Sequence, residues 1–307
     1  MYIAMNEVRL TNREVVDVIP VNLRKYMCNI DLCGAEEIRL ITGKPFTVRF
    51  PDGVYYLSKN AVFSDNPVNA VIINDMHMEE LIERITKSSL YSVKDEICSG
   101  YVTISGGHRV GIAGTAVIDN GNIEFIKNIS AVNIRIANEV IGAADAITER
   151  ITSGGVKSTL IISPPCAGKT TMLRDITRSL SYMGYSVAVA DERCEIAAMY
   201  EGKSSFDLGN MTAVLDNCPK PEAMLMLLRS MSPEVIVTDE IGTMRDAEAI
   251  RSIMNSGVAV IASIHGRDIK QLIKRKTLKN LIPMFDAVVT LSRRNGAGTI
   301  EEIYENA

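Results

Sequence analysis

No apolar run in this sequence approaches the roughly 20 residues needed to span a bilayer. The opening stretch, MYIAMNEVRLTNREVVDV, carries acidic residues early and no apolar core of signal-peptide length. Six cysteines (Cys28, Cys33, Cys98, Cys166, Cys194 and Cys218) lack metal-ligand spacing, and no histidine cluster accompanies the nearest pair. They read as reduced thiols used as small apolar side chains. These gaps predict a soluble, cytoplasmic protein with no transmembrane span, whose only route to a membrane is through a partner. An excess of positive charge is missing too. The formal net charge is −4, and no stripe interleaves aromatic with basic residues. A nucleic-acid partner is therefore not expected. One basic run, GRDIKQLIKRKTLK, carries Lys270, Lys274, Arg275, Lys276 and Lys279. It could meet acidic headgroups or a partner, but an ordinary solvated face is the plainer account. The chain shows no repeats and no low-complexity segment.

What remains is enough apolar residue for a large core, in a chain of 307 residues that accommodates two domains. From about 35 to 140 the pattern is short strands around one helical stretch. EEIRLITG and FTVRF alternate with period two, and DMHMEELIERITKSSL has helical spacing at Met78, Leu81, Ile82 and Ile85. Gly106-Gly107 and Asn120-Gly121 separate strand-like runs and predict hairpins. Within the first 30 residues only VNLRKYM suggests a short helix. Residues 1–140 are thus expected to form a small α+β domain with an antiparallel sheet. From 141 to 307 the grammar changes. TLIIS, SVAVAD, EVIVTDE and VAVIASIHG are continuous apolar runs alternating with helical stretches, the mark of a mainly parallel sheet in an α/β domain. DAVVTLSRRNGAGTIEEIYE is expected to close the chain as a hairpin.

The second domain opens with TLIISPPCAGKTTMLRD, residues 159–175, which nearly spells a phosphate-binding loop. Gly168, Lys169 and Thr170 match it, but Ser163 replaces the first glycine. Pro164 and Pro165 have no N–H to offer a phosphate, so Cys166, Ala167, Gly168, Lys169, Thr170 and Thr171 form the donating half. A strand before and a helix after suit a phosphate chain at a helix N-terminus. Lys169 is expected to reach the β/γ-phosphates, the Thr170 hydroxyl to ligate Mg²⁺, and Thr171 to donate near the α-phosphate. Downstream, EVIVTDEIG delivers Asp239 to a strand end, where it would hold Mg²⁺ or its water shell. Glu240 is the candidate general base for an attacking water. The bland alternative is an acidic pair capping the next helix.

Two further strand ends point to the same sheet edge. VAVADERCEIA places Asp191, Glu192, Arg193 and Glu195 there, and VAVIASIHG places His265. Either group can sense a γ-phosphate or position water.

The order of phosphate loop, acidic box, LLRSMSPEVIVTDEIG and SIHG, behind a small α+β domain, resembles the secretion superfamily of hexameric ATPases that drive type II and type IV secretion and pilus motors. EEIRLITGKP, GGHRVGIAGTAV, NIRIA, DERCEIA and VTDEIG are more closely similar to the stage III sporulation AA family of endospore-forming bacteria. This resemblance implies a RecA-like, Mg²⁺-dependent ATPase domain and a probe-able set of roles: Lys169 and Thr170 on phosphate and Mg²⁺, Glu240 as the catalytic acid residue, and His265 in the histidine box. The acidic box falls on Asp191 to Glu195, with Asp191 taken as nucleotide-binding and Glu195 as catalytic; which carboxylate acts stays open. It also implies a mother-cell protein, working as a hexamer, that energises assembly or gating of a channel between mother cell and forespore through the cytoplasmic segment of a membrane protein. In such hexamers, arginines of the first domain reach the nucleotide. Arg135 in VNIRIA and Arg109 in GGHRVG are the candidates, with Arg193 and Arg229 as competitors. Ser163 and the short chain motivate a second reading, a nucleotide-gated assembly platform with little hydrolysis.

Overall fold

The computed structural model describes residues 8–27, 30–87, 93–98, 100–119, 121–273 and 281–305. The chain divides into two compact units, Met1–Glu139 and Val140–Ala307.

In the first unit, helices α1 (Val8–Val18), α2 (Val21–Arg24), α3 (Asp75–Ile85) and α4 (Lys94–Cys98) accompany strands β1 (Glu37–Ile41), β2 (Thr47–Phe50), β3 (Gly53–Leu57), β4 (Phe63–Ser64), β5 (Tyr101–Ile104), β6 (His108–Asp119) and β7 (Asn122–Arg135). The strands form one antiparallel sheet in the order β4-β3-β2-β1-β7-β6-β5. Period-two alternation sends Ile38, Leu40, Val48, Val110, Val132 and Ile134 to one face, where they share a core with Val15 and Ile19, and with Met78, Leu81 and Ile85 of α3. α3 begins at a capping box: Asn74 accepts from the His77 N–H, and the His77 ring accepts from the Asn74 N–H. The sequence pattern reads one helix in this stretch. The structure adds α4, too short to show a period, and, ahead of this stretch, α1. The Asn120 half of the predicted Asn-Gly turn lies outside the described residues.

In the second unit, α5 (Asp145–Ile151), β8 (Thr159–Ser163), α6 (Lys169–Tyr182), β9 (Val187–Asp191), β10 (Met199–Tyr200), β11 (Lys203–Ser204), β12 (Thr212–Asp216), α7 (Lys220–Ser230), β13 (Val235–Thr238), α8 (Met244–Asn255), β14 (Ala259–His265), α9 (Ile269–Ile273), β15 (Ala287–Ser292) and β16 (Thr299–Glu305) follow in turn. Seven strands run in the order β12-β9-β13-β14-β8-β15-β16; every pair is parallel except the closing β15–β16 hairpin. The continuous apolar runs have a direct cause. Leu160 and Ile162 of β8 face a core with Met224, Leu227, Ile250 and Ile253 from α7 and α8. Ile161, between them, faces a core with Ile147, Leu173, Ile176 and Leu180 from α5 and α6. Both sheet faces are covered, so alternation disappears from the sequence. At roughly 1.5–3 kcal/mol for each fully buried aliphatic side chain, these two layers dominate the unit's stability. β12 and the small β10–β11 hairpin have no counterpart in the sequence reading: β10 and β11 are two residues each, and the Ala213-Val214-Leu215 run of β12 is short and only half-buried.

Of the basic run, Lys270 is exposed on α9; Lys274, Arg275, Lys276 and Lys279 lie outside the described residues, as does Cys28. The described cysteines are free thiols.

Candidate functional site

Sheet order assembles the site. β14 lies between β8 and β13, so its last residue, His265, falls between the phosphate-loop strand and the acidic strand. Ser163 and His265 are partners in the β8–β14 ladder, and the Gly266 N–H donates to the Ser163 carbonyl at 3.2 Å. Ser163 is completely buried, and its hydroxyl donates to the Pro164 carbonyl at 2.9 Å. It keeps ordinary strand backbone: the positive φ angles of the loop fall on Cys166 (57°) and Gly168 (87°). Where this chain departs from the loop pattern, the backbone therefore makes no demand for glycine.

At Gly168 it does. This residue caps the N-terminus of α6 in the left-handed region, and a Cβ there would stand 2.9 Å from the backbone nitrogen of Gly298. Gly298, in the β15–β16 turn, donates its N–H to the Ala167 carbonyl at 3.0 Å, so the closing hairpin braces the loop from behind. Lys169, Thr170 and Thr171 form the first turn of α6, where N–H groups have no intrahelical acceptor. Pro165 and Cys166 are exposed, Pro164 is half-buried and Ala167 is buried.

Three predicted residues meet here. Lys169 Nζ lies 3.2 Å from His265 Nδ1 and 3.7 Å from a Glu240 carboxylate oxygen. Glu240 is held through its backbone: its N–H donates to Ser263 Oγ at 3.1 Å, and its carbonyl accepts from Lys220 Nζ at 2.8 Å. The next helix is capped by other residues. Thr243 Oγ1 accepts from the Asp246 N–H, and Asp246 accepts from the N–H groups of Gly242 and Thr243 at 2.9 and 2.8 Å. A cap of this kind is worth about 1 kcal/mol. Asp239 and Glu240 are thus not the cap of α8.

Asp239 is 5% exposed, and its Oδ1 takes no conventional hydrogen bond among the described residues. The compensating charge is Lys220 Nζ, 3.1 Å away. Burial pushes the Asp239 carboxyl up from its ordinary range, and the Lys220 ammonium pulls it back.

The acidic box differs from expectation at Asp191. This side chain is fully buried and accepts from the N–H groups of Glu195, Ile196 and Ala197 at 2.8, 3.0 and 2.8 Å. Burial pushes its pKa up, and those N–H groups oppose the shift. Both oxygens accept from this loop, so Asp191 shapes the acidic box from within. Arg174 of α6 clamps the same loop from the other side, donating to the carbonyls of Ile196 and Glu195 at 2.8 Å each and stacking on Phe206. Glu195 and Arg193 lie close enough to act electrostatically on Asp239, and Glu195 is half-buried. Arg229 is exposed in the last turn of α7.

In the first unit, Arg109 and Arg135 are direct partners across the β6–β7 ladder. Their neighbours Val110 and Ile134 point into the core, so the two arginines share the opposite sheet face. Arg135 is exposed, and Arg109 stacks 4.8 Å over the Tyr101 ring.

Sequence reasoning missed Lys220, Arg174 and Gly298. Only Lys220 carried a local signal: a cation in the first turn of a helix, where the helix dipole disfavours it.

The fold is similar to that of solved RecA-like secretion ATPases. The ATPase DotB of Legionella pneumophila superposes with a TM-score of 0.59 at 14% identity, over 89% of this chain and 76% of that one. The pilus retraction motor PilT, with bound ADP, gives a TM-score of 0.54 at 14% identity, over 94% and 78%. The family model of sporulation stage III, protein AA, matches residues 10–307. Stage III sporulation protein AA of Bacillus subtilis (strain 168) is 36% identical over 302 residues, 95% of this chain and 94% of that protein. The chain belongs to the sporulation stage III protein AA family.

Proposed function

We propose that this protein is a Mg²⁺-dependent ATPase of the secretion-motor type, acting as a hexamer that energises assembly or gating of a membrane channel complex during sporulation. The observation that carries this reading is the meeting of Lys169, His265 and Glu240 at the N-terminus of α6. The residues present fit the ligands. Gly168 leaves the loop backbone open where a Cβ could not fit, and the first turn of α6 presents N–H groups suited to phosphate oxygens. The Thr170 hydroxyl and the buried Asp239 carboxylate are hard oxygen donors of the type Mg²⁺ takes. When bound, that cation neutralises charge on the phosphate oxygens. Lys169 orients the terminal phosphates, Glu240 takes the proton of an attacking water, and His265 fixes the lysine and reports on the γ-position.

The first unit is proposed to serve assembly and to supply Arg135 and Arg109 to a neighbouring subunit's nucleotide. The protein would work in the mother-cell cytoplasm, docked on the cytoplasmic segment of a channel protein; no described helix is long and apolar enough to cross a membrane.

The test is phosphate release from Mg²⁺-ATP over a range of protein concentrations, with Lys169→Ala as the blank. Specific activity that climbs with concentration is the expected result; turnover that is full at high dilution rules out sites completed between subunits. A nucleotide-gated platform with little hydrolysis is favoured by one feature, the 3.7 Å approach of Glu240 to Lys169, which competes with use of Glu240 as a base. Glu240→Gln separates the readings. For an ATPase it keeps ADP binding and lowers turnover by about 10² or more; for a platform it leaves sporulation intact.

A further inference from the structure

We propose that Lys220 is a positioning residue for the acidic half of the site, a fixed internal cation that ties Asp239, Glu240 and Glu192 into one unit and aims Asp239 for Mg²⁺. The inference rests on the ATPase reading and adds a residue to it.

Three features of Lys220 are costly unless it has such a task. It is 8% exposed, although lysine is almost never buried without a partner. It occupies the first turn of α7, where the free N–H groups and helix dipole repel a cation. Pro219, the N-cap, supplies no side-chain acceptor to offset that repulsion. The compensation comes from outside the helix. Lys220 Nζ donates to the Glu240 carbonyl at 2.8 Å, stands 3.1 Å from Asp239 Oδ1, and lies 3.8 Å from a Glu192 carboxylate oxygen. These partners arrive from two strand ends: Glu192 follows β9, while Asp239 and Glu240 follow β13. One ammonium thus joins the acidic box to the acidic strand.

The consequences follow from geometry. With Oδ1 facing a fixed cation, the Asp239 carboxylate cannot rotate freely, which leaves Oδ2 as the oxygen to meet a metal. Tethering a metal-holding carboxylate from behind is the usual work of a residue outside the coordination shell, and losing such a tether costs about 10–100-fold in metal affinity. The bond to the Glu240 carbonyl acts on the neighbouring residue in the same way: it fixes the backbone from which the candidate base projects. Of the other charged groups acting on Asp239, Arg193 is favourable while Glu195 and Asp191 are not, which leaves Lys220 as the dominant favourable partner.

A plain structural ion pair would share these contacts, so the experiment must read something that stability alone does not move. Binding of a fluorescent ADP analogue is measured in EDTA and in Mg²⁺ for the wild type, Lys220→Met and Lys220→Arg, with melting temperature alongside. The expected result is binding in EDTA within twofold of wild type for Lys220→Met, a gain from Mg²⁺ reduced at least tenfold, and recovery of half or more of that gain in Lys220→Arg. A Mg²⁺ gain within threefold of wild type overturns the proposal. So does an equal loss in EDTA and Mg²⁺ accompanied by a lower melting temperature, which is the mark of a structural pair. If Lys220→Met does not fold, Lys220→Met combined with Asp239→Asn must restore the melting temperature, because both buried charges are then gone; failure to restore it overturns the pairing. A wild type that binds no nucleotide in either buffer is a different failure, that of the ATPase reading itself, and it removes this inference as well.

Discussion

Three carboxylates near one strand edge, similar in sequence context, have been given different environments. Asp191 is fully buried and bonded to three backbone N–H groups. Asp239 is almost as buried but faces an ammonium, and Glu240 is partly exposed beside Lys169. Only the last has a solvent-accessible carboxylate that a water can reach, and that is why Glu240, not its neighbour, is the base in the proposed mechanism. Cysteines sort by the same logic. Cys194 is half-buried against Asp216, its Sγ 3.5 Å from that carboxylate. Burial first, then the nearby acidic groups, pushes its thiol up to about 12. A thiolate is the reactive form, so Cys194 is inert at neutral pH. Cys166 is exposed in the loop itself, with a left-handed φ of 57°. Treatment with N-ethylmaleimide at pH 7.5 should therefore label Cys166 and spare Cys194, abolish ADP binding, and be slowed by saturating nucleotide. Peptide mass mapping with and without ADP checks all of it; labelling of Cys166 that leaves ADP affinity intact would mean that the loop does not cradle phosphate.

At the level of elements, the loop depends on a hairpin far from it in sequence. Gly168 and Gly298 both have positive φ, 87° and 86°, so alanine at either is strained by roughly 1–2 kcal/mol. They differ in what the new methyl meets. At Gly298 it is the flexible end of Met172, at 3.0 Å; at Gly168 it is the Gly298 backbone, at 2.9 Å. Gly298→Ala should lower the melting temperature by a few degrees, about 2–4 °C per kcal/mol, and keep ADP binding. Gly168→Ala should displace the loop from the hairpin and lose ADP binding at least tenfold. Calorimetry and ADP titration on the two variants separate these outcomes, and equal binding losses would refute the brace. The same contrast marks what the sequence discloses. The strands of the parallel sheet are legible because both faces are buried, and the loop is legible because its spacing is local. β12, an edge strand, is not: its Ala213-Val214-Leu215 run is short and only half-buried. The brace, the Arg174 clamp and Lys220 are not, because each joins segments separated by 20 or more residues and exists only once the sheet order is set.

For the whole molecule, the question is whether one chain holds a complete site. Arg109 and Arg135 belong to the first unit, while Lys169, Asp239 and Glu240 belong to the second. Each unit has its own core and sheet, so neither set of residues requires the other in order to be built. A transition-state arginine is worth about 10³ or more in rate, a strong reason for a chain to keep one and, if it comes from a neighbour, a means of silencing unassembled subunits. Mixing tests this without reference to any structure of the assembly. Arg135→Ala keeps its own Glu240 and lacks the arginine; Glu240→Gln keeps the arginine and lacks the base. Each alone should turn over ATP at well under a tenth of the wild-type rate. If arginine and base come from different subunits, an equimolar mixture that exchanges subunits pairs an intact base with an intact arginine at about a quarter of its interfaces, and activity should rise to about that share of wild type. If they come from the same chain, every subunit in the mixture stays defective, and the rate remains the mean of the two variants. Subunit exchange must be verified by mass measurement of the mixed assembly, because a flat result counts against sharing only when the mixed species have formed.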